Sequence, residues 1–99
     1  MITPNASPSS PPRFTDRQGQ YLAFIHTYSL LNGRAPAEAD IQIYFRVTPP
    51  SVHSMIVGLE RRGLIRRVPR QARSIELLLA VDELPPLRPQ SIKTTVVRY

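Results

Sequence analysis

The run Thr48-Pro49-Pro50-Ser51 fixes where one helix of this chain begins. Proline has no amide to donate and its ring collides with the preceding turn, so two in succession fit a helix only in its first turn, where amides lack intrahelical partners anyway. Thr48 is then the capping residue, and a helix over 49–62 follows, closed by Gly63. Val52, Met55, Ile56 and Leu59 recur at i, i+3, i+4 and i+7, the spacing of a single buried stripe. Ser51, His53, Ser54, Val57, Gly58 and Arg61 are left on the other side.

Two further helices precede this one. Thr15 with Gln18 is a capping-box pair, and Tyr21, Phe24, Ile25, Tyr28 and Leu31 then repeat in three- and four-residue steps until Asn32-Gly33 supplies a stop. The pattern predicts a helix of roughly 16–31, with Leu30 off its buried stripe. Pro36 restarts the chain, Glu38 and Asp40 suit a first helical turn, and Ile41, Tyr44 and Phe45 give a helix of about two turns its apolar face. Only Arg46-Val47-Thr48 separates it from the next helix.

After Gly63 the period changes from helical to extended. Leu64 to Val68, a turn over Pro69-Arg70-Gln71-Ala72-Arg73, and Ser74 to Leu79 read as a β-hairpin, with Ile75, Leu77 and Leu79 facing inward. The folded unit is therefore expected at 14–79. Residues 1–13 read as a flexible arm, since Met1 to Pro12 carry four prolines, three serines and no charge. Residues 80–99 read as a tail in which Leu84-Pro85-Pro86-Leu87-Arg88-Pro89 makes a semi-rigid break before a short strand around Ile92–Val97.

Composition narrows the chemistry. No run nears the roughly 18 apolar residues that span a bilayer, and the N-terminus lacks the pattern of a secretory signal, so a cytoplasmic location is expected. With no cysteine and only His26 and His53, neither a structural metal nor any other cofactor is expected. The seven carboxylates form no tight pair and the Ser, His and Asp residues no nucleophile motif, so no catalysis is expected either.

Charge points to a polyanion. The net charge is +6, and twelve of the thirteen basic residues are arginine, whose planar fork matches phosphate and the acceptor edge of guanine. Six arginines, Arg61, Arg62, Arg66, Arg67, Arg70 and Arg73, fall between residues 61 and 73 with no acid among them. Three helices, a short second–third connection and a basic hairpin tip describe a mainly α fold with a small β-hairpin, the three-helix winged helix-turn-helix. In that fold the third helix enters the major groove of duplex DNA. Thr48, Ser51, His53 and Ser54 are then expected to contact bases or phosphates, the Pro50 ring a thymine methyl, and Arg61, Arg67, Arg70, Gln71 and Arg73 the backbone or minor groove. Solvation alone also explains polar residues on an outward helix face, and His26 reads as an ordinary surface or half-buried residue.

The same residues resemble the N-terminal DNA-binding domain of the LexA repressors, a winged-helix relative of the MarR regulators. The resemblance covers about 14–79. It rests on Phe14-Thr15-x-Arg17-Gln18 opening the first helix, Gly33-x-x-Pro36 before the second, Thr48-Pro49 entering the third, and Leu59-x-Arg61-Arg62-Gly63-Leu64-Ile65 leaving it. It implies sequence-specific operator binding by a transcriptional regulator, commonly as a dimer. The repressors continue into a peptidase domain with a Ser/Lys dyad; this sequence has a single lysine, Lys93, and self-cleavage is not expected of it. Ala37 replaces a frequent Thr cap, and Pro50-Ser51-Val52-His53-Ser54 differs from the repressors' reading residues, so no target sequence carries over. Leu30, the first helix and the Ile92–Val97 strand are the candidate dimer surfaces. The competing reading is a winged-helix adaptor whose basic patch meets an acidic protein partner.

Overall fold

A computed structural model describes residues 13–90. The expected arm up to residue 12 and the expected strand around Ile92–Val97 lie outside these residues. The elements run α1 (Asp16–Asn32), α2 (Glu38–Phe45), α3 (Pro49–Arg61), β1 (Ile65–Arg66) and β2 (Glu76–Leu77), followed by a 3₁₀ turn at Val81–Glu83.

Each helix begins where its capping chemistry dictates. At α1 the Thr15 hydroxyl accepts from the Gln18 amide at 3.1 Å, while Gln18 Oε1 accepts from the Thr15 amide at 2.9 Å. Gly33, at φ 72°, ends it in the left-handed conformation that glycine adopts without strain. At α2 the cap residue Ala37 has no side-chain oxygen, and Asp40 Oδ2 instead reaches back to the Ala37 amide at 2.8 Å. At α3 the two prolines remove the first two amides, so the Thr48 hydroxyl accepts from the next, that of Ser51, at 3.3 Å.

The core forms where the three helices meet the hairpin. Val52, Ile56 and Leu59 of α3 are fully buried with Leu22, Ile25, Ile41, Leu64 and Ile65. Aromatic rings join α1 to α2: Tyr21 stacks on Phe45 with centroids 4.2 Å apart, and Phe24 on Tyr44 at 4.7 Å. The sheet is a two-stranded antiparallel hairpin with Ile65 opposite Leu77 and Arg66 opposite Glu76. Three helices and this hairpin make a winged helix-turn-helix, with α2 and α3 as its two central helices and the hairpin as its wing.

Three features depart from the sequence reading. The paired strands are two residues long, shorter than the extended runs read at 64–68 and 74–79; beyond Arg66 the Val68 amide donates to the Ser74 side chain and not to a backbone partner. The buried stripe of α1 stops at Tyr28, and Leu31 is exposed together with Leu30 at 79% and 69%. In the first half of α1 the burial widens to every residue from Gly19 to Ile25, Leu22 among them.

At Gly19 and Gln20 the segment read as a break covers the helix. Leu84 to Arg88 lies across α1 and α2 as a strap, with Leu84 and Leu87 packed against the core. Gln20, buried on α1, donates from Nε2 to the Pro86 carbonyl at 2.9 Å and accepts from the Arg88 amide on Oε1 at 2.8 Å. Tyr44 donates its hydroxyl to the Arg88 carbonyl at 2.8 Å. Prolines suit such a strap: stiff and short of amides, they lie against a helix with few donors to satisfy.

Candidate nucleic-acid interface

The period of α3 sorts its outward residues into a central stripe and a flank. Ser51, Ser54, Gly58 and Arg61 follow at steps of three and four residues, and Pro50 adjoins them. Pro50, Ser51, Ser54 and Arg61 are exposed, as is the cap Thr48. Thr48 donates its hydroxyl to Ser51 Oγ at 3.0 Å, so these two expected contact residues hold one another at the helix entrance. On the flank facing α2 and the wing stand His53, Val57 and Glu60. His53 Nδ1 lies 3.5 Å from Glu38 Oε1 at the start of α2, and Glu60 Oε1 accepts from Arg67 Nε at 3.1 Å.

The wing arginines divide into two kinds. Arg66 pairs with Glu76 across the strands, and Arg67 with Glu60, its side chain only 21% exposed. Arg73 turns inward: Nη1 lies 3.1 Å from the Tyr28 hydroxyl, 3.3 Å from the Ala35 carbonyl and 3.1 Å from Asp40 Oδ2. Its hydrogen bond to Tyr28 is the main reason this guanidinium is held even more firmly protonated than usual; burial opposes it, and further interactions with Tyr28 and Asp40 add to it. The same Asp40 oxygen caps α2, so Arg73 fastens the wing to the α2 N-terminus. Arg70 and Gln71 are exposed at the tip. The Gln71 amide donates to the Val68 carbonyl at 3.1 Å, with Pro69 and left-handed Arg70 in the middle positions of a type II-like turn. Ser74 closes the loop, accepting from the Val68 amide at 2.9 Å and donating to the Gln71 carbonyl at 2.8 Å.

Folding therefore cancels part of the basic run. Residues 61–73 hold no acid, yet Glu60, Glu76 and Asp40 arrive from either side and neutralise three of its arginines. Arg61, Arg62 and Arg70 make no ion pair among the described residues, and Arg62 donates to the Arg13 carbonyl at 3.1 Å. Composition and spacing give no sign of this split.

One residue of this surface was missed by the sequence reading. Arg17, exposed on α1, lies 5.8 Å from the Tyr21 ring and 5.9 Å from the Phe45 ring and pairs with no carboxylate among the described residues. It lines an open groove of about 600 Å³ with Pro50, Ser51, Ser54 and Gly58 of α3. Its signals in the sequence were its place in the Phe14-Thr15-x-Arg17-Gln18 motif and its position four residues before Tyr21, one helical turn away.

No described helix is long and apolar enough to cross a membrane. Among the described residues no cluster of three or more His, Asp or Glu could hold a metal ion. Comparison with known proteins places the chain in a wider context. A family model described as the LexA DNA binding domain matches residues 12–74. The LexA repressor of Thermosipho melanesiensis is 38% identical over 66 residues, which are 67% of this chain and 33% of that protein. The LexA repressor of Thermosipho africanus is 41% identical over 64 residues, 65% of this chain and 32% of that protein. That of Bartonella quintana is 37% identical over 71 residues, 71% of this chain and 30% of the repressor. The matched stretch thus spans about a third of each relative's length.

Proposed function

Because the chain belongs to the LexA DNA-binding domain family, we propose that it is a cytoplasmic transcriptional regulator that binds duplex DNA sequence-specifically. The observation that carries this reading is the outward face of α3, where small polar side chains stand clear of the core with unpaired guanidinium groups beside them. Short hydroxyl side chains let a helix approach base edges closely, and guanidinium groups meet the phosphates that border the groove. Ser51 and Ser54 read base edges, and the Pro50 ring fits against a thymine methyl. Thr48, His53, Arg61, Arg70 and Gln71 contact the backbone. Arg67 and Arg73 support the surface through their carboxylate partners and leave the contact itself to their neighbours.

Two copies bind together. One such module covers few base pairs, and two-fold pairing on a symmetric site doubles the contact. Exposed Leu30 and Leu31 at the end of α1 supply an apolar patch for the pairing. In vitro selection of bound oligonucleotides, with a mass measurement of the complex, tests both statements. An enriched motif with two-fold symmetry and a complex of two chains per duplex is the expected result. Failure to enrich any motif, with negligible affinity for every duplex at low salt, would leave an acidic protein partner as the better explanation of the basic surface.

A further inference from the structure

We infer that Arg17 is a phosphate-backbone contact, the anchor that seats the α1 flank of α3 against one wall of the major groove. This rests on the DNA-binding reading above and adds to it a residue outside the reading helix and the wing.

An α-helix with its side chains is about 10–12 Å across and the major groove about 12 Å wide. A helix lying in the groove therefore meets bases with its central stripe and the two sugar–phosphate walls with its flanks. On α3 the central stripe is Ser51, Ser54, Gly58 and Arg61. One flank looks toward α2 and the wing, through the His53–Glu38 and Glu60–Arg67 contacts, and Arg70 serves that side. On the side toward α1 the stripe residues Ser51, Ser54 and Gly58 themselves form one wall of the open groove, and the cation on the facing wall is Arg17. Without it, phosphate contact on this wall would rest on Arg61 and Arg62 at the far end of the helix.

Three observations suit Arg17 to the role. It forms no ion pair among the described residues, so no carboxylate has to be displaced before it meets a phosphate. The Tyr21 and Phe45 rings, stacked on each other with the guanidinium carbon almost equally far from both centroids, give its side chain a rigid wall alongside and limit the freedom it loses on binding. Its exposure leaves the guanidinium donors open to solvent and hence to a ligand. A phosphate contact carries no base information but fixes register, so Arg17 governs how deeply Ser51 and Ser54 are presented.

The test compares the full chain with its Arg17→Ala and Arg17→Lys variants on the selected duplex and on a scrambled duplex of equal length, each over a salt series. Arg17→Ala is expected to weaken binding about tenfold on both duplexes and to reduce the slope of log affinity against log salt by about one. Arg17→Lys is expected to restore the slope, since a point charge still displaces a counterion. Unchanged affinity and slope in Arg17→Ala would overturn the inference, as would a loss confined to the selected duplex, which marks a base reader. A loss of affinity with the slope intact in Arg17→Ala and no recovery in Arg17→Lys would also overturn it, in favour of a role in shape alone. If the parent chain selects no motif but binds duplex with an Arg17-dependent slope, the sequence-specific reading fails and the anchor stands. If the parent binds no duplex at all, both fail.

Discussion

Arg88 and Asp16, 72 positions apart in the chain, meet with 2.6 Å between Nη2 and Oδ2 and pin the end of the strap to the first turn of α1. The hydrogen bond from Arg88 is the main reason the Asp16 carboxyl titrates below its ordinary value of 3.8; desolvation opposes it, and the Arg88 charge adds to it. A carboxyl lowered in the folded state contributes stability that is complete above its unfolded value and is lost as pH falls through the folded one. The strap is thus expected to loosen in acid, below the ordinary carboxylate range. In thermal melts between pH 5 and pH 2 the parent protein should lose slightly more stability than Asp16→Asn. Both side chains face solvent, so the difference should be small, and it should shrink further in high salt.

A larger effect is expected at Gly19. A Cβ there would lie 2.9 Å from Phe14 Cε1 and 3.1 Å from Pro85 Cγ, between α1 and the strap. Gly19→Ala gains up to about 1 kcal/mol of helix propensity. Crowding against a stiff proline ring costs about 1–3 kcal/mol and outweighs it. Urea denaturation should show a net loss, with earlier proteolysis near residue 85.

Arg70 separates stability from binding. It occupies the left-handed position of its turn, where glycine is the usual residue, at φ 65°. Arg70→Gly should raise unfolding free energy by about 1 kcal/mol, because an L side chain in that conformation carries strain of this order. The same change should lower DNA affinity about three- to tenfold on every sequence, through a lost phosphate contact. Stability and affinity moving in the same direction would show that Arg70 serves only the turn.

Arg73 should behave in the opposite sense. It is held by Tyr28, Ala35 and Asp40, so Arg73→Ala is expected to lower the melting temperature, and Arg73→Lys to rescue little, since one ammonium cannot reproduce the planar fork. Affinity should fall only through the displaced wing, with the salt slope nearly unchanged. Paired thermal melts and salt titrations would distinguish this residue from Arg70.

Substitutions at Ser51 and Ser54 should alter sequence preference. A lost or changed base-edge contact alters discrimination at one base pair by about 1–3 kcal/mol, or roughly 5- to 150-fold. Repeating the selection with Ser51→Ala and Ser54→Ala should shift the motif at different positions. An equal loss on all sequences would remove α3 as the reading element.

The helices were legible because local chemistry sets their ends. Thr15 and Gln18, Thr48 with its two prolines, and Gly33 each act within a turn of the backbone they control. What distant residues decide was not legible. Gln20 is buried with its amide bonded to Pro86 and Arg88, more than sixty residues away, and nothing local marks it. Arg67 and Arg73 sit in the same basic run as Arg70 but are neutralised by Glu60 and Asp40, whose arrival depends on how α3 and α2 pack beside the wing. Arg17 stayed hidden for the complementary reason. Its role comes from an absence of partners and from neighbours on another helix, and a linear sequence displays neither.

The strap also separates homology from self-sufficiency. The family-model match ends at residue 74, before β2, yet among the described residues the Gln20 amide is satisfied by the Pro86 carbonyl and the Arg88 amide. A fragment trimmed to the matched stretch would leave that amide without these partners, so the shortest piece worth expressing for binding studies extends through residue 90.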